Sequence, residues 1–262
     1  MSFFKKFVLG CGAAVMALAM VFAILVPQAV AAEERVSYDR KLIMRLPSSV
    51  DDIGIAFLKT ADNFPDFNKV IQASEAYKKL DPTEQPDYLN KLASRYQAAY
   101  LAYSPRKSDV ILRVKVNAQF KRMADGGATL DILALTKAPV YFPFQFLNYP
   151  IALLIKDIEV FQKISLTKEE ADIVYGRLAL NGDATLLLQV VPVAADDRKT
   201  MTLDNIPQYP LLSEIAYIGL LNRNAEQIWA WKNSKYTAGI AQSTTDSRAI
   251  LDLGPRDPQP IQ

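Results

Sequence analysis

DVILRVKVNAQFKR, residues 109–122, decides how the rest of the chain is read. Val110, Leu112, Val114, Val116, Ala118 and Phe120 alternate with Ile111, Arg113, Lys115, Asn117, Gln119 and Lys121. A period of two belongs to a strand with one face on a core and the other in water. Ile111 is the one break in the pattern. Asp125-Gly126-Gly127 follows as a turn, and Thr129–Leu135 returns as the next strand. The stretch therefore predicts antiparallel sheet.

Upstream of Pro105 the period is helical. Ser49-Val50-Asp51-Asp52 reads as a helix start, with an acid three residues after the cap. Phe67, Val70, Ile71 and Ser74 place a helix within Pro65–Leu80. Tyr88, Leu92, Tyr96, Ala99 and Tyr103 place another over Asp87–Tyr103, behind Pro82 and Pro86. The tyrosine stripe is expected to cover the protein's own sheet, with hydroxyls at the rim.

Downstream lies PVYFPFQFLNYPIALLI, residues 139–155. Pro139, Pro143 and Pro150 exclude a continuous helix, so the reading is short extended pieces. One ends near Phe146 and another runs from Ile151 to Gln162. If several of the rings at Tyr141, Phe142, Phe144, Phe146 and Tyr149 share one accessible surface, they form a candidate apolar-ligand site. The preferred reading is the inside of a sheet, because the proline spacing and the adjacent strands account for residues 139–155 without any ligand. Thr167 and Glu170 form a capping box that opens a helix over 168–179, and Asn181-Gly182 stops it. Thr185–Val193 is an apolar strand. Ile215–Leu221 and Gln227–Lys232 form a hairpin, and Trp229 and Trp231 lie two apart on one of its sides. They are candidates for a sugar or lipid platform, or for packing across a neighbouring strand.

The N-terminus has the layout of a secretory signal. Lys5 and Lys6 precede an uncharged run from Phe7 to Val26, then Pro27, then Ala29-Val30-Ala31. Cleavage is expected between Ala31 and Ala32. The run is also long enough to span a bilayer uncleaved, and either outcome places the body outside the cytoplasm. Cys11 stands too close to Lys6 for a lipoprotein signal. Removal of the leader would leave a chain without cysteine.

Composition narrows the chemistry. There is no histidine, which excludes Ser-His-Asp and Cys-His sites and imidazole-bound metals. Without Lys5 and Lys6, 28 basic residues face 28 acidic ones, and basic pairs such as Lys121-Arg122 stay isolated. Nucleic acid is not an expected partner. Ser104-Pro105-Arg106-Lys107 and Ser165-Leu166-Thr167-Lys168 match Ser-x-x-Lys but lack its companion elements. Asp51, Asp52, Asp157, Glu159, Asp196 and Asp197 are the acids open to hydrolytic work, and no pair stands out.

These readings predict an α+β chain. A helical segment over 46–104 packs on a mainly antiparallel sheet or sandwich over 108–233, with the capped helix 168–179 inserted between strands. Residues 1–31 are the leader, 32–45 a linker or first strand, and 234–262 a loosely ordered tail. The expected function is an exported, non-catalytic cell-envelope, periplasmic or extracellular protein that acts as a binding or structural module for another protein or an envelope component, with no cofactor. Membrane contact is expected only through an uncleaved N-terminal segment. The alternatives are a carrier or sensor of an apolar, lipid-like ligand and a carboxylate-based hydrolase of polysaccharide or peptidoglycan.

Overall fold

The computed structural model describes residues 40–105, 107–135 and 140–236. The leader with Ala31 and Ala32, most of the 32–45 segment and the tail beyond Tyr236 lie outside the described residues. The described part of the 32–45 segment is one helical turn, α1 (Arg40–Ile43), and not a strand. In a strand Leu42 and Ile43 would face opposite ways. The turn lets both bury against Ile111, Leu187, Tyr217 and Leu221.

Ser49 opens α2 (Val50–Thr60) with the reciprocal bonds of a capping box. The Asp52 amide donates to Ser49 Oγ at 3.2 Å, and the Ser49 amide donates to Asp52 Oδ2 at 2.7 Å. The expected single helix over Pro65–Leu80 is two, α3 (Phe67–Ala73) and α4 (Glu75–Lys78). Ser74 breaks it: its backbone is extended, its hydroxyl donates to the Ile71 carbonyl at 2.6 Å, and the same oxygen accepts from the Tyr77 amide. One serine ends a helix and caps the next. In α5 (Gln85–Ala102), Tyr96 and Tyr100 are buried against Phe67.

The strands are β1 (Val110–Arg122), β2 (Ala128–Ile132), β3 (Tyr141–Phe146), β4 (Tyr149–Ile155), β5 (Lys163–Leu166), β6 (Asp183–Ala195), β7 (Met201–Leu203), β8 (Ile206–Leu221) and β9 (Gln227–Lys232). They form one sheet, ordered β3-β4-β8-β6-β1-β2-β5, with β7 and β9 also on β8. The sheet is mixed and curls into a half-barrel. This qualifies the expectation of a mainly antiparallel sheet. β4 lies parallel to β8, pairing Ile151 with Tyr209 through Ile155 with Ser213. Further along the same strand β9 pairs antiparallel, Tyr217 with Lys232 through Leu221 with Gln227. β8 is too long for either partner alone.

The handover corrects a second expectation. The extended piece predicted to reach Gln162 stops at Ile155, and Lys156 donates a last amide bond to Ser213. Asp157 then adopts left-handed φ (58°) and starts the 3₁₀ helix Ile158–Gln162. Lys156, Asp157 and Glu159 belong to this turn and not to a solvated strand end. Thr167 and Glu170 start α6 (Lys168–Arg177) through both capping-box bonds.

Register explains the pattern in β1. Leu112 stands opposite Leu188 and Val116 opposite Ala184, on the face that the main core shares with α2 and α5. Ile111 faces the other way and is buried there because α1 covers that patch. The break in the alternation marks a place where both faces of the sheet are dry.

Candidate functional site

β6 begins at Asp183, opposite Asn117, so β1 has a neighbour on that side only up to Ala118. The Ala118 amide donates to the Gly182 carbonyl at 2.8 Å, and Asn117 Nδ2 donates to the Asn181 carbonyl at 2.7 Å. Gly182 has φ +76°, and a Cβ there would collide with the Ala118 carbonyl. A glycine is required for so close an approach. The chain that precedes it, from Leu178 to Asn181, then swings away from β1.

Beyond Ala118, β1 therefore pairs with β2 alone, Gln119 with Asp131 through Arg122 with Ala128. Strand parity assigns the edges. Ala118 bonds toward Gly182 and Met123 toward Gly127 (2.8 Å), so the backbone groups of Gln119 and Lys121 face β2. Those of Phe120 and Arg122 face the side that β6 has left.

A cleft of about 490 Å³ occupies this place, lined by Asn117, Gln119, Phe120, Tyr175, Leu178 and Leu180 among others. Tyr175 on α6 tilts over Phe120 with ring centroids 5.6 Å apart. Beside them the Arg122 guanidinium lies 5.6 Å from the Tyr175 ring and pairs with Asp172 at 2.8 Å. Leu180 is fully exposed and Tyr175 is 66% exposed. The lining holds amide, aromatic and aliphatic groups, and no carboxylate or amine. Such a wall can grip main chain and apolar side chains, and it has no group to move a proton at neutral pH.

The residues singled out in the sequence lie elsewhere, and they do not gather into one group. Tyr141 donates its hydroxyl to Asp204, in the turn between β7 and β8. Phe142 and Phe144 are half-buried against the main core. Phe146 is buried, edge-on to Tyr96 at 5.3 Å. Tyr149 packs with Phe57 and Tyr209, each 5.9 Å away. Trp229 and Trp231 share one face of β9 and close on Phe161, at 6.1 and 5.1 Å. Sequence reasoning missed the cleft. Its one visible signal was Leu180, a large apolar residue directly before the polar link Asn181-Gly182-Asp183.

Of the acids singled out in the sequence, Asp51, Asp52, Asp196 and Asp197 are occupied. Asp51 accepts from Arg95 and from the Tyr96 hydroxyl, Asp52 caps α2, and Asp197 accepts from Asn63 at 2.7 Å. Asp183 is held below the usual carboxylate range by side-chain bonds from Arg223 and Asn181. Asp196 is held low by the backbone amides of Arg198 and Lys199, and Glu214 by Lys235 and Tyr236. Thr83 does the same for Asp81. A general acid needs the opposite displacement.

One buried charge pair has a structural position. The Asp109 carboxylate is wholly buried at the head of β1, accepts from both terminal nitrogens of Arg45 (2.5 and 2.7 Å), and also accepts from Gln189 Nε2. It ties the segment after α1 to the centre of the sheet. Among the described residues no group of three or more His, Cys, Asp or Glu could hold a metal ion, and no helix is long and apolar enough to cross a membrane. Comparison of the chain with protein-family models, curated proteins and solved structures gave no match.

Proposed function

We propose that this chain is an exported, non-catalytic cell-envelope protein that works by contact, with the cleft beside β1 as its recognition surface. The observation that carries the reading is the cleft's composition. A strand edge with outward-facing amides and carbonyls meets a wall of Phe120, Tyr175, Leu178 and Leu180, with no titratable acid or base in the chemical range of a hydrolase. The lysine pair, apolar run and Ala29-Val30-Ala31 of the leader support the address.

Two measurements test this. Cell fractionation with N-terminal sequencing is expected to find the chain outside the cytoplasm, beginning at Ala32 or retaining its leader as an anchor. Full-length chain recovered free in the cytosol sinks the reading. A photo-crosslinking side chain at Gln119 is expected to give a defined adduct in the envelope, lost on Leu180→Asp. An adduct indifferent to that change sinks the cleft as the recognition surface.

A further inference from the structure

We infer that the cleft takes an extended segment of a different protein, added as a strand beside residues 119–122 of β1, with an acidic residue opposite Lys121 and an apolar one opposite Phe120. The inference deepens the reading of the cleft as a recognition surface and rests on it.

The place demands main chain. The outward-facing N–H and C=O groups of Phe120 and Arg122 are a sheet edge, and hydrogen-bonding groups in that spacing are matched by another extended backbone. The edge of β3 is guarded against such a guest. There the residues bonded to β4 include Phe146, opposite Tyr149, so Pro143 falls on the outward row, where it has no amide to offer. Residues 119–122 carry no proline, and the cleft beside them is flanked by the fully exposed Leu180. A guest residue opposite Phe120 shares that ring's face of the sheet, on the side of Tyr175, where an apolar side chain fits.

Charge decides the partner. A second copy of this chain is a poor guest, because each antiparallel register of 119–122 on itself meets an obstacle. Phe120 opposite Phe120 needs the place beside Ala118 that Gly182 holds. Phe120 opposite Arg122 sets Lys121 against Lys121. The Lys121 backbone faces β2, so that pair is of the closely spaced kind, with Cα atoms about 4.5 Å apart. Arg122 opposite Arg122 opposes guanidinium to guanidinium. Like charges directly across a ladder repel, and a lysine on an edge guards it against self-pairing.

The same lysine attracts an acid. Lys121 is exposed, stands opposite Thr129 on β2 and makes no ion pair among the described residues. Arg122 is already engaged by Asp172. Lys121 is thus the charge this edge leaves to an added strand, and a carboxylate opposite it completes a cross-strand pair.

The test is an amide-resolved NMR titration of the full chain with the capped peptides Thr-Val-Glu-Val-Thr and Thr-Val-Lys-Val-Thr. The glutamate peptide is expected to move the Phe120 and Arg122 amide resonances saturably and to bind about tenfold more tightly than the lysine peptide. Lys121→Glu should reverse that order, while its resonances away from the cleft match the native chain's and report an intact fold. Equal affinity for the peptides, an order that survives Lys121→Glu, or unmoved Phe120 and Arg122 amides overturn the inference. So does self-association through this edge, read as a concentration-dependent shift of the same amides without peptide. None of these results alters the crosslinking outcome at Gln119, so the cleft reading and the chemistry of its guest fail separately.

Discussion

The Phe146 ring occupies the space in which a side chain on Gly54 would begin. Gly54 lies in the middle of α2, where glycine costs about 1 kcal/mol relative to alanine. Here the cost is met because the missing Cβ lets β3 and α2 close on one another. Tyr96 holds the same ring from the side of α5. A helix, a strand and a second helix thus meet at one aromatic side chain.

Gly54→Ala is expected to destabilise the fold by about 2 kcal/mol, against its gain in helix propensity, because Phe146 cannot retreat from Tyr96. Urea denaturation measures it. Gly54→Ala with Phe146→Leu should lose less than the two single changes added together. Simple additivity would separate the two residues.

Phe161 seats both tryptophans, and the chain has only two. Phe161→Ala is expected to shift tryptophan emission to longer wavelength as water reaches the rings, and to cost about 3 kcal/mol. An unshifted spectrum would mean that the contact does not shield them.

Removing Arg45 leaves the Asp109 carboxylate buried with Gln189 as its remaining side-chain donor among those described above. Arg45→Met is expected to cost about 3 kcal/mol at neutral pH, more than Asp109→Asn, since Arg45 keeps access to solvent and Asp109 has none. Urea denaturation of the two variants at neutral pH measures the order, and an Asp109→Asn loss equal to or larger than that of Arg45→Met would contradict it.

Asp183, Asp196 and Glu214 are all held low by their donors. A depressed folded-state pKa contributes stability that is present above the unfolded value and lost as pH falls through the folded one. Thermal stability should therefore be flat near neutrality and drop below about pH 4. Glu214→Gln is expected to flatten part of that drop, because its bonds to Lys235 and Tyr236 no longer depend on ionisation in the same way. Melting curves identical to the native protein's at every pH would remove Glu214 from the account.

Much of the fold could be read one element at a time. The alternation from Val110 to Phe120 marked a strand because side-chain period is a local property of the backbone. Ser49 with Asp52, and Thr167 with Glu170, marked helix starts because a capping bond closes within four residues. Ser74 shows the limit of that reading. Its neighbours suit one continuous helix, and the break depends on a hydroxyl that serves the Ile71 carbonyl and the Tyr77 amide together.

The neighbours of each strand were another matter. Nothing within Ile151–Ile155 states that it will run parallel to Tyr209–Ser213, because a strand's period records which faces are dry and not which way its partner points. The cleft is of the same kind. Its edge exists because β6 starts at Asp183, opposite Asn117, and so leaves the last residues of β1 paired with β2 on one side only. Local periodicity and caps are written in adjacent residues; pairing direction and an empty place in a sheet arise where segments far apart in the chain meet, and their free energy belongs to that meeting.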